Sequence, residues 1–392
     1  MLEDWFFELA RAFGKLFINP LTYWTIILVI GAGMLRVKQE RKNFGTKIYD
    51  VFAEWKHTWI FSILCGLIIS ILLAVAGVIF TYETMLVLSA VMILLSITCK
   101  FTLLSPSYTV GLTYIALLFL PYFMQQQEVF PETLFSKTNV IGLSLLLGLF
   151  LLAEAVSLRK IKRNETFPAL ARSNRGGWIG QHHVRRLHVM PLFVLVPTGF
   201  ITPFADYWPY IPLGEENTFG LLLVPFLVGF DFKVRSNIAT VVAKRISLQI
   251  FLLGLIVLML AAGSVYVKWL SFIAVIIAII GQEMIHYRQR VKDKEQTPFY
   301  YQKGTGIQIL GIIPGTPADR FDMSVGEKIM KVNGKKIKDE HEFYEALQDG
   351  GAYFKLDVID DKGEVRFIQS ALYEGEHHEL GLLFTKEPYR QS

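Results

Sequence analysis

The chain has few cysteines and few charged residues, and both shortages limit the classes of protein it can belong to. Cys65 and Cys99 are the only cysteines in 392 residues, and both lie in apolar stretches. A disulfide framework or a thiolate zinc site needs more cysteines, so we expect neither. Charged residues make up 19% of the chain and hydrophobic residues 53%, a balance typical of membrane proteins.

Signatures of processing and of nucleotide binding are also lacking. No A-x-A-like site follows the first apolar run, so we expect no cleaved signal peptide. Neither a P-loop nor a dinucleotide-binding fingerprint is present, and we expect no cofactor. The formal net charge is +5, and the basic residues are distributed as membrane topology requires. This charge therefore gives no reason to expect nucleic-acid binding.

Apolar runs of membrane-spanning length are abundant. The cleanest, from Trp59 to Phe80, would be about 33 Å long as a helix. We predict an α-helical polytopic membrane domain of six to nine spans over residues 1–286. The candidate spans lie at 18–35, 59–80, 85–99, 103–123, 139–158, 188–203, 218–231, 247–267 and 269–286. The sixth contains three prolines, so it is expected to be broken or re-entrant.

Loop charge predicts the orientation of these spans. Lys and Arg are concentrated in 36–57, 159–186 and 232–245, whereas 124–136 and 204–219 contain neither. The positive-inside rule assigns the basic segments to the cytoplasm. We therefore expect a multi-pass cell-membrane protein with its N-terminus outside and its C-terminus inside. The basic loops either set this topology alone or also contact anionic membrane lipid.

Hydrophobic character ends after His286. Residues 287–299 are predicted to form a polar linker and residues 300–392 a small α+β domain. Asn333-Gly334 is a strong hairpin signal, and Asp339 can cap a helix over 340–348. Strands are expected at 353–359, 364–368 and 380–384.

Three motifs in this tail occur in the order and spacing typical of one family. They are Gly304-Thr305-Gly306-Ile307-Gln308-Ile309, Pro314-Gly315-Thr316-Pro317-Ala318, and Val325-Gly326-Glu327 followed by Asn333-Gly334. On these motifs the tail resembles a bacterial-type PDZ domain in the permuted strand order of membrane and periplasmic proteases. Asp322 departs from the pattern, since that family usually has glycine there.

The resemblance implies peptide recognition by strand addition beside residues 307–310. The implied peptide-binding residues are Gly304, Thr305, Gly306, Ile307, Gln308, Ile309, Phe343 and Leu347. The glycine turn could face a terminal carboxylate, because glycine tolerates positive φ and close approach. Core packing is the alternative role of the two isoleucines, of Phe343 and of Leu347. Whether the groove takes a C-terminus or an internal segment stays open.

Membrane proteins with PDZ domains are often proteases, so catalysis is a rival hypothesis. An intramembrane metalloprotease needs H-E-x-x-H on a helix. Here Gln282 stands where the first histidine would be, ahead of Glu283 and His286. His182-His183 has the wrong spacing for a helical zinc pair. We therefore expect no enzyme, no catalytic residue and no metal site, although an inactive protease relative stays an alternative.

A transporter is the other alternative, because buried charge marks transport pathways. Glu154, Asp231 and Glu283 lie near the ends of predicted spans. Charges at span ends can reach the interface, and ionisable residues at mid-span are scarce. The proline-rich sixth span is the only other transporter-like feature.

The layout of several spans followed by one cytoplasmic PDZ domain resembles the MinJ family, division-site topology proteins of Bacillus-type bacteria. That resemblance implies a non-catalytic adaptor at septum and poles, which bridges a DivIVA-like scaffold to a MinD-type ATPase and so restricts septum placement. Self-association is left open. Composition and periodicity do not indicate these partners.

Overall fold

The structure is a computed structural model. It describes residues 2–124, 138–173, 176–205, 208–211, 218–301, 304–351, 353–371 and 380–390. Most of 124–136 and 204–219, the two segments without Lys and Arg, lies outside these ranges. The predicted placement of these segments therefore concerns residues outside the described part of the chain.

Helices make up most of the N-terminal region. In chain order they are α1 (Leu2–Leu16), α2 (Pro20–Phe44), α3 (Ala53–Lys56), α4 (Trp59–Val75), α5 (Tyr82–Ser96), α6 (Pro106–Met124), α7 (Val140–Arg159), α8 (Ala239–Gly263) and α9 (Trp269–Glu295). Within the described part of the chain, α2, α7, α8 and α9 are long and apolar enough to cross a membrane, and α4, α5 and α6 contribute shorter apolar helices. The prediction of a helical polytopic domain is therefore confirmed, with four helices of spanning length and three shorter apolar helices among the described residues.

The sixth and seventh predicted spans are wrong, because 188–201 and 219–231 lie in strands. A sheet is formed by β1 (Phe167–Arg172), β2 (Trp178–Ile201) and β3 (Phe219–Val234), in that order and antiparallel. The prolines that would break a helix are compatible with this hairpin, and Pro191 lies opposite Pro225 in the register. Without these two segments, seven of the nine predicted spans remain. Because seven is also an odd number, the N-terminus is still expected outside and the C-terminus inside, and this orientation stays a prediction.

The hairpin lies inside the helical bundle, and helix side chains bind its outer edges. Along α4, the Thr58 hydroxyl donates to the Leu187 carbonyl at 3.0 Å, and the Phe193 N–H donates to Ser70 Oγ at 2.8 Å. On the other edge, the Leu221 N–H donates to a carboxylate oxygen of Glu8 at 3.2 Å. Strand backbone at this depth is tolerated because protein groups satisfy its polar atoms.

The C-terminal domain consists of two small antiparallel sheets and one main helix. Its elements are β4 (Ile307–Gln308), β5 (Gly311–Ile312), α10 (Pro317–Arg320), β6 (Lys328–Val332), β7 (Lys335–Lys336), α11 (Glu340–Gln348), β8 (Tyr353–Ile359), β9 (Val365–Ala371) and β10 (Leu382–Leu383). Strands β4, β6, β8 and β9 are neighbours in that order, and β10 pairs with β5. Asp339 caps α11 as predicted, accepting from the Glu342 N–H at 2.8 Å.

The C-terminal domain is fastened to the helical region at several points. Helix α9 continues through most of the predicted linker, and the Phe299 N–H donates to the Arg235 carbonyl at 2.7 Å. The Arg163 guanidinium forms a bidentate ion pair with the Asp361 carboxylate, in which Nη2 lies 2.6 Å from Oδ1. The apolar core of the domain also includes Phe44, Ile48, Tyr49, Phe167 and Leu170 from the helical region. Its position relative to the bundle is therefore fixed by packing as well as by the chain.

Candidate peptide-binding groove

An open groove of about 670 Å³ lies between α11 and the segment that follows β10. Its lining residues are Ile307, Asp339, Glu340, His341, Tyr344, Glu345, Gln348, Thr385 and Lys386. One wall is therefore the exposed face of a helix, and the other is extended chain. This is the arrangement that strand-adding peptide recognition requires.

Helix α11 is amphipathic, and its two faces have different roles. Phe343 and Leu347 are almost completely buried, and the Phe343 ring packs edge-on against Phe384 at 5.3 Å. These two predicted site residues hold the helix on the core and do not line the groove. Tyr344 and Glu345, on the outward face, line it instead.

The predicted strand contributes one groove residue. Ile307 lines the groove, whereas Ile309 is fully buried and its N–H donates to the Glu327 carbonyl at 2.9 Å. The side chain of Gln308 donates to the Gly326 carbonyl at 3.2 Å, within the domain. The structure therefore places Ile307 at the groove and Ile309 in the core. Alternation along a continuous strand would put both on one face, but β4 ends at Gln308 and Ile309 lies beyond it.

The predicted glycine turn has positive φ angles, +79° at Gly304 and +86° at Gly306. Gly304 and Thr305 are exposed. The Gly306 N–H, however, donates to the Ile337 carbonyl at 2.9 Å, so it is not available to a ligand carboxylate. A Cβ at Gly306 would lie 2.8 Å from the Ile329 carbonyl oxygen, and a side chain is therefore excluded there.

The edge next to residues 310–313 is already occupied by the chain itself. The Leu310 N–H donates to the Leu383 carbonyl at 2.7 Å, and the Ile313 N–H donates to the Gly381 carbonyl at 2.8 Å. An added peptide strand would meet β10 there. Backbone groups alternate in direction along a strand, so those of Leu382 and Phe384 point away from β5. The segment 384–386 is thus the extended wall of the groove.

Sequence reasoning missed Thr385 and Lys386 as groove residues. It predicted a strand over 380–384 but had no means to place that strand beside α11. The available signal was Gly381, inside an apolar run, whose φ is +81°. Such a residue marks a turn into a strand, as Gly304 and Gly306 do.

The groove is predominantly acidic. Asp339, Glu340 and Glu345 line it, and Lys386 is its one lining Lys or Arg side chain. Lys386 contacts Glu340 at 2.8 Å, which leaves Glu345, 67% exposed, as the most accessible carboxylate. The groove therefore offers a complementary surface to a basic peptide.

The two histidine motifs have structural partners. The fully buried His182 shares a hydrogen bond of 2.8 Å with Thr166, and burial lowers the pKa of His182 to about 3. In α9, Gln282 donates to Glu154 at 3.2 Å and lies 3.4 Å from His286. Within the described residues, no group of three or more His, Cys, Asp or Glu side chains could hold a metal ion.

Comparison with known proteins agrees with the domain architecture. Residues 308–359 match the PDZ domain family, which confirms the C-terminal PDZ domain. The chain is 34% identical over 390 residues to the cell division topological determinant MinJ of Bacillus subtilis (strain 168), covering 99% of this chain and 97% of that protein. It is 22% identical to a probable MinJ of Lacticaseibacillus paracasei, covering 95% of this chain and 98% of that protein. The chain therefore belongs to the MinJ family of cell division topological determinants.

Proposed function

We propose that this protein is a non-catalytic membrane adaptor that recruits division-site selection proteins through its PDZ groove. The observation that supports this most directly is the open, acidic groove on a domain packed against a bundle of membrane-type helices. Binding there would raise the local concentration of a partner at the membrane without any chemical step. Residues 1–286 would serve as the anchor and residues 300–392 as the recruiting domain.

The surroundings of the degenerate protease motif support a role without catalysis. Gln282 occupies the position of a first metal ligand, and its amide donates to Glu154. Glu283, which would activate water in a metalloprotease, instead accepts from Tyr108 at 2.8 Å and from Arg290 at 2.6 Å. These contacts pair the amide nitrogen of Gln282 and the carboxylate of Glu283 with neighbouring side chains.

The partners we propose are a DivIVA-like scaffold and a MinD-type ATPase, as the family resemblance implies. In this proposal the PDZ domain faces the cytoplasm, the N-terminus lies outside, and the protein acts at septa and poles. The acidity of the groove further predicts that the segment it binds contains Lys or Arg. A basic internal segment has no terminal carboxylate, so it does not need a free backbone N–H in the glycine turn. It is therefore compatible with a Gly306 N–H that already donates to the Ile337 carbonyl.

Reversing one groove charge tests the proposal. Glu345→Lys should reduce recruitment of a fluorescently tagged partner to division sites at least about tenfold, since it places like charges together. The matched control is Glu364→Lys, which makes the same change at an exposed position outside the groove lining. Both variants should stay in the membrane. Equal recruitment by Glu345→Lys and wild type would count against the groove as the recruiting surface.

A further inference from the structure

A second concave surface, which shares no lining residue with the PDZ groove, lies where the apolar part of α2 gives way to a basic loop. It consists of two adjoining hollows of about 720 and 1100 Å³, which share Val51. Its basic residues are Lys38, Arg41, Lys42, Lys47, Lys56 and Arg390. Asp50 is the one carboxylate among the lining residues, and it is paired with Lys47 at 2.7 Å. The surface therefore has a strong excess of positive charge.

Large apolar side chains adjoin these cations. Phe52 is 48% exposed, Trp55 38% and Trp59 54%. Met34 and Leu35, on α2, are each more than half exposed. Tryptophan beside lysine at the end of an apolar helix is typical of the level of lipid headgroups. A ligand that fits here needs an anionic head and an apolar tail.

The surface is rigid because buried charges hold its loop in place. Arg36 is almost completely buried, pairs with Glu54 at 2.9 Å and also contacts Glu40 and the Asp50 carbonyl. The second oxygen of Glu40 accepts the Ile48 N–H at 2.8 Å. At Gly33, a Cβ would lie 1.9 Å from the Val51 carbonyl oxygen, so only glycine allows the loop to pack this closely on α2. The hollows therefore exist before any ligand binds.

The end of the chain contributes the last cation. The Tyr389 N–H donates to the Asn43 carbonyl at 3.1 Å, and the Arg390 N–H donates to the Lys42 carbonyl at 3.2 Å. These backbone bonds place Arg390 on the rim beside the α2 residues. Cations from three separate parts of the chain thus converge on one surface.

We propose that this surface is a binding site for an anionic phospholipid. The phosphate lies among Lys38, Arg41 and Lys42, and an acyl chain passes along Met34 and Leu35. The site is independent of the PDZ groove and would exist even if the groove bound no division protein. Charge complementarity distinguishes it from the unselective lipid contacts of the other apolar helices.

Native mass spectrometry of the full-length protein in detergent tests this site. Delipidated protein is titrated with phosphatidylglycerol, with phosphatidylcholine and with inorganic phosphate. Wild type should retain phosphatidylglycerol in preference to phosphatidylcholine. The variant K38Q/R41Q/K42Q should bind phosphatidylglycerol at least about tenfold more weakly, as expected for the loss of three cations near a phosphate.

The matched control is R288Q/K292Q/K294Q, which removes the same charge from the exposed end of α9 and should leave binding unchanged. The conservative variant K38R/K42R keeps the charge and should bind like wild type, which separates ligand recognition from misfolding. Equal retention of the two lipids by wild type, equal loss in the α9 control, or binding of phosphate alone would each overturn the proposal.

Discussion

Single polar side chains inside apolar surroundings determine much of this structure. Arg36 holds the loop after α2, Glu8 and Ser70 bind the edges of the hairpin, and His182 lies at the junction with the PDZ domain. Each is buried and each has a specific partner, because an unpaired polar group at such a site would be costly. Although these side chains are few, removing any one of them should therefore reduce the stability of the fold substantially.

Arg36→Met should destabilise the loop after α2 by about 3–5 kcal/mol, because it leaves two buried glutamates without their cation. Hydrogen exchange of residues 45–56 should accelerate strongly, and the unfolding temperature of the detergent-solubilised protein should fall. Arg288→Met removes an exposed arginine and should change neither quantity. Slow exchange in Arg36→Met would mean that the ionic cluster does not hold the loop.

Acid should loosen the junction between the PDZ domain and the bundle. Burial lowers the pKa of His182 from 6.5 to about 3. Burial also lowers the pKa of the adjacent His183 to about 3. The opened state takes up protons that the native state does not, so this contribution is complete above pH 6.5 and is lost as the pH falls toward 3. Arg163 lies close enough to His182 to disfavour its protonation further.

Hydrogen exchange of residues 178–184, compared at pH 7.5 and pH 5 after correction for intrinsic rates, measures this effect. Protection should drop at pH 5 in wild type, and the drop should shrink in His182→Gln. The exposed His341 offers a control, and His341→Gln should behave like wild type. Protection independent of pH would contradict the assignment of a buried neutral His182.

At the scale of elements, the helices were predictable and the hairpin was not. Seven of the nine predicted spans correspond to helices, since a long apolar run with few charges has few other solutions. Residues 219–230 are apolar because nearly all of them are buried. Residues 189–197 are apolar although every second side chain along much of this stretch is only partly buried. Neither segment therefore shows the polar–apolar alternation in sequence that identifies a strand. Pro191, Pro197 and Pro203 were the one local signal against a helix.

Cysteine crosslinking tests the register of the hairpin. Val194 and Leu222 are directly opposite in the structure, within the range that a disulfide spans. In a background without Cys65 and Cys99, V194C/L222C should therefore crosslink readily under mild oxidation. The control V194C/L223C places one thiol on the opposite face and should crosslink poorly. Equal yields would exclude this register, and a pair of helices in place of the hairpin would then need to be reconsidered.

At the scale of the whole molecule, the PDZ domain was predictable and its attachment was not. Three local motifs specify the fold, and Asp339 and Asn333-Gly334 behave as their local chemistry predicts. The core of the domain, however, includes Tyr49 and Phe167, which are distant in sequence. The wall at 384–386 also depends on a long-range contact, that between Phe384 and Phe343. Local patterns do not contain such information.

The central claim is that the groove beside α11 binds a division protein, and site-specific photocrosslinking in intact cells tests it most directly. A photoreactive amino acid at Tyr344 lies in the groove, and one at Tyr353 lies outside the groove lining at a position 54% exposed. The account predicts that position 344 crosslinks to the DivIVA-like scaffold or the MinD-type ATPase and that position 353 does not. Crosslinks to neither protein from 344, or equal crosslinks from both positions, would contradict it.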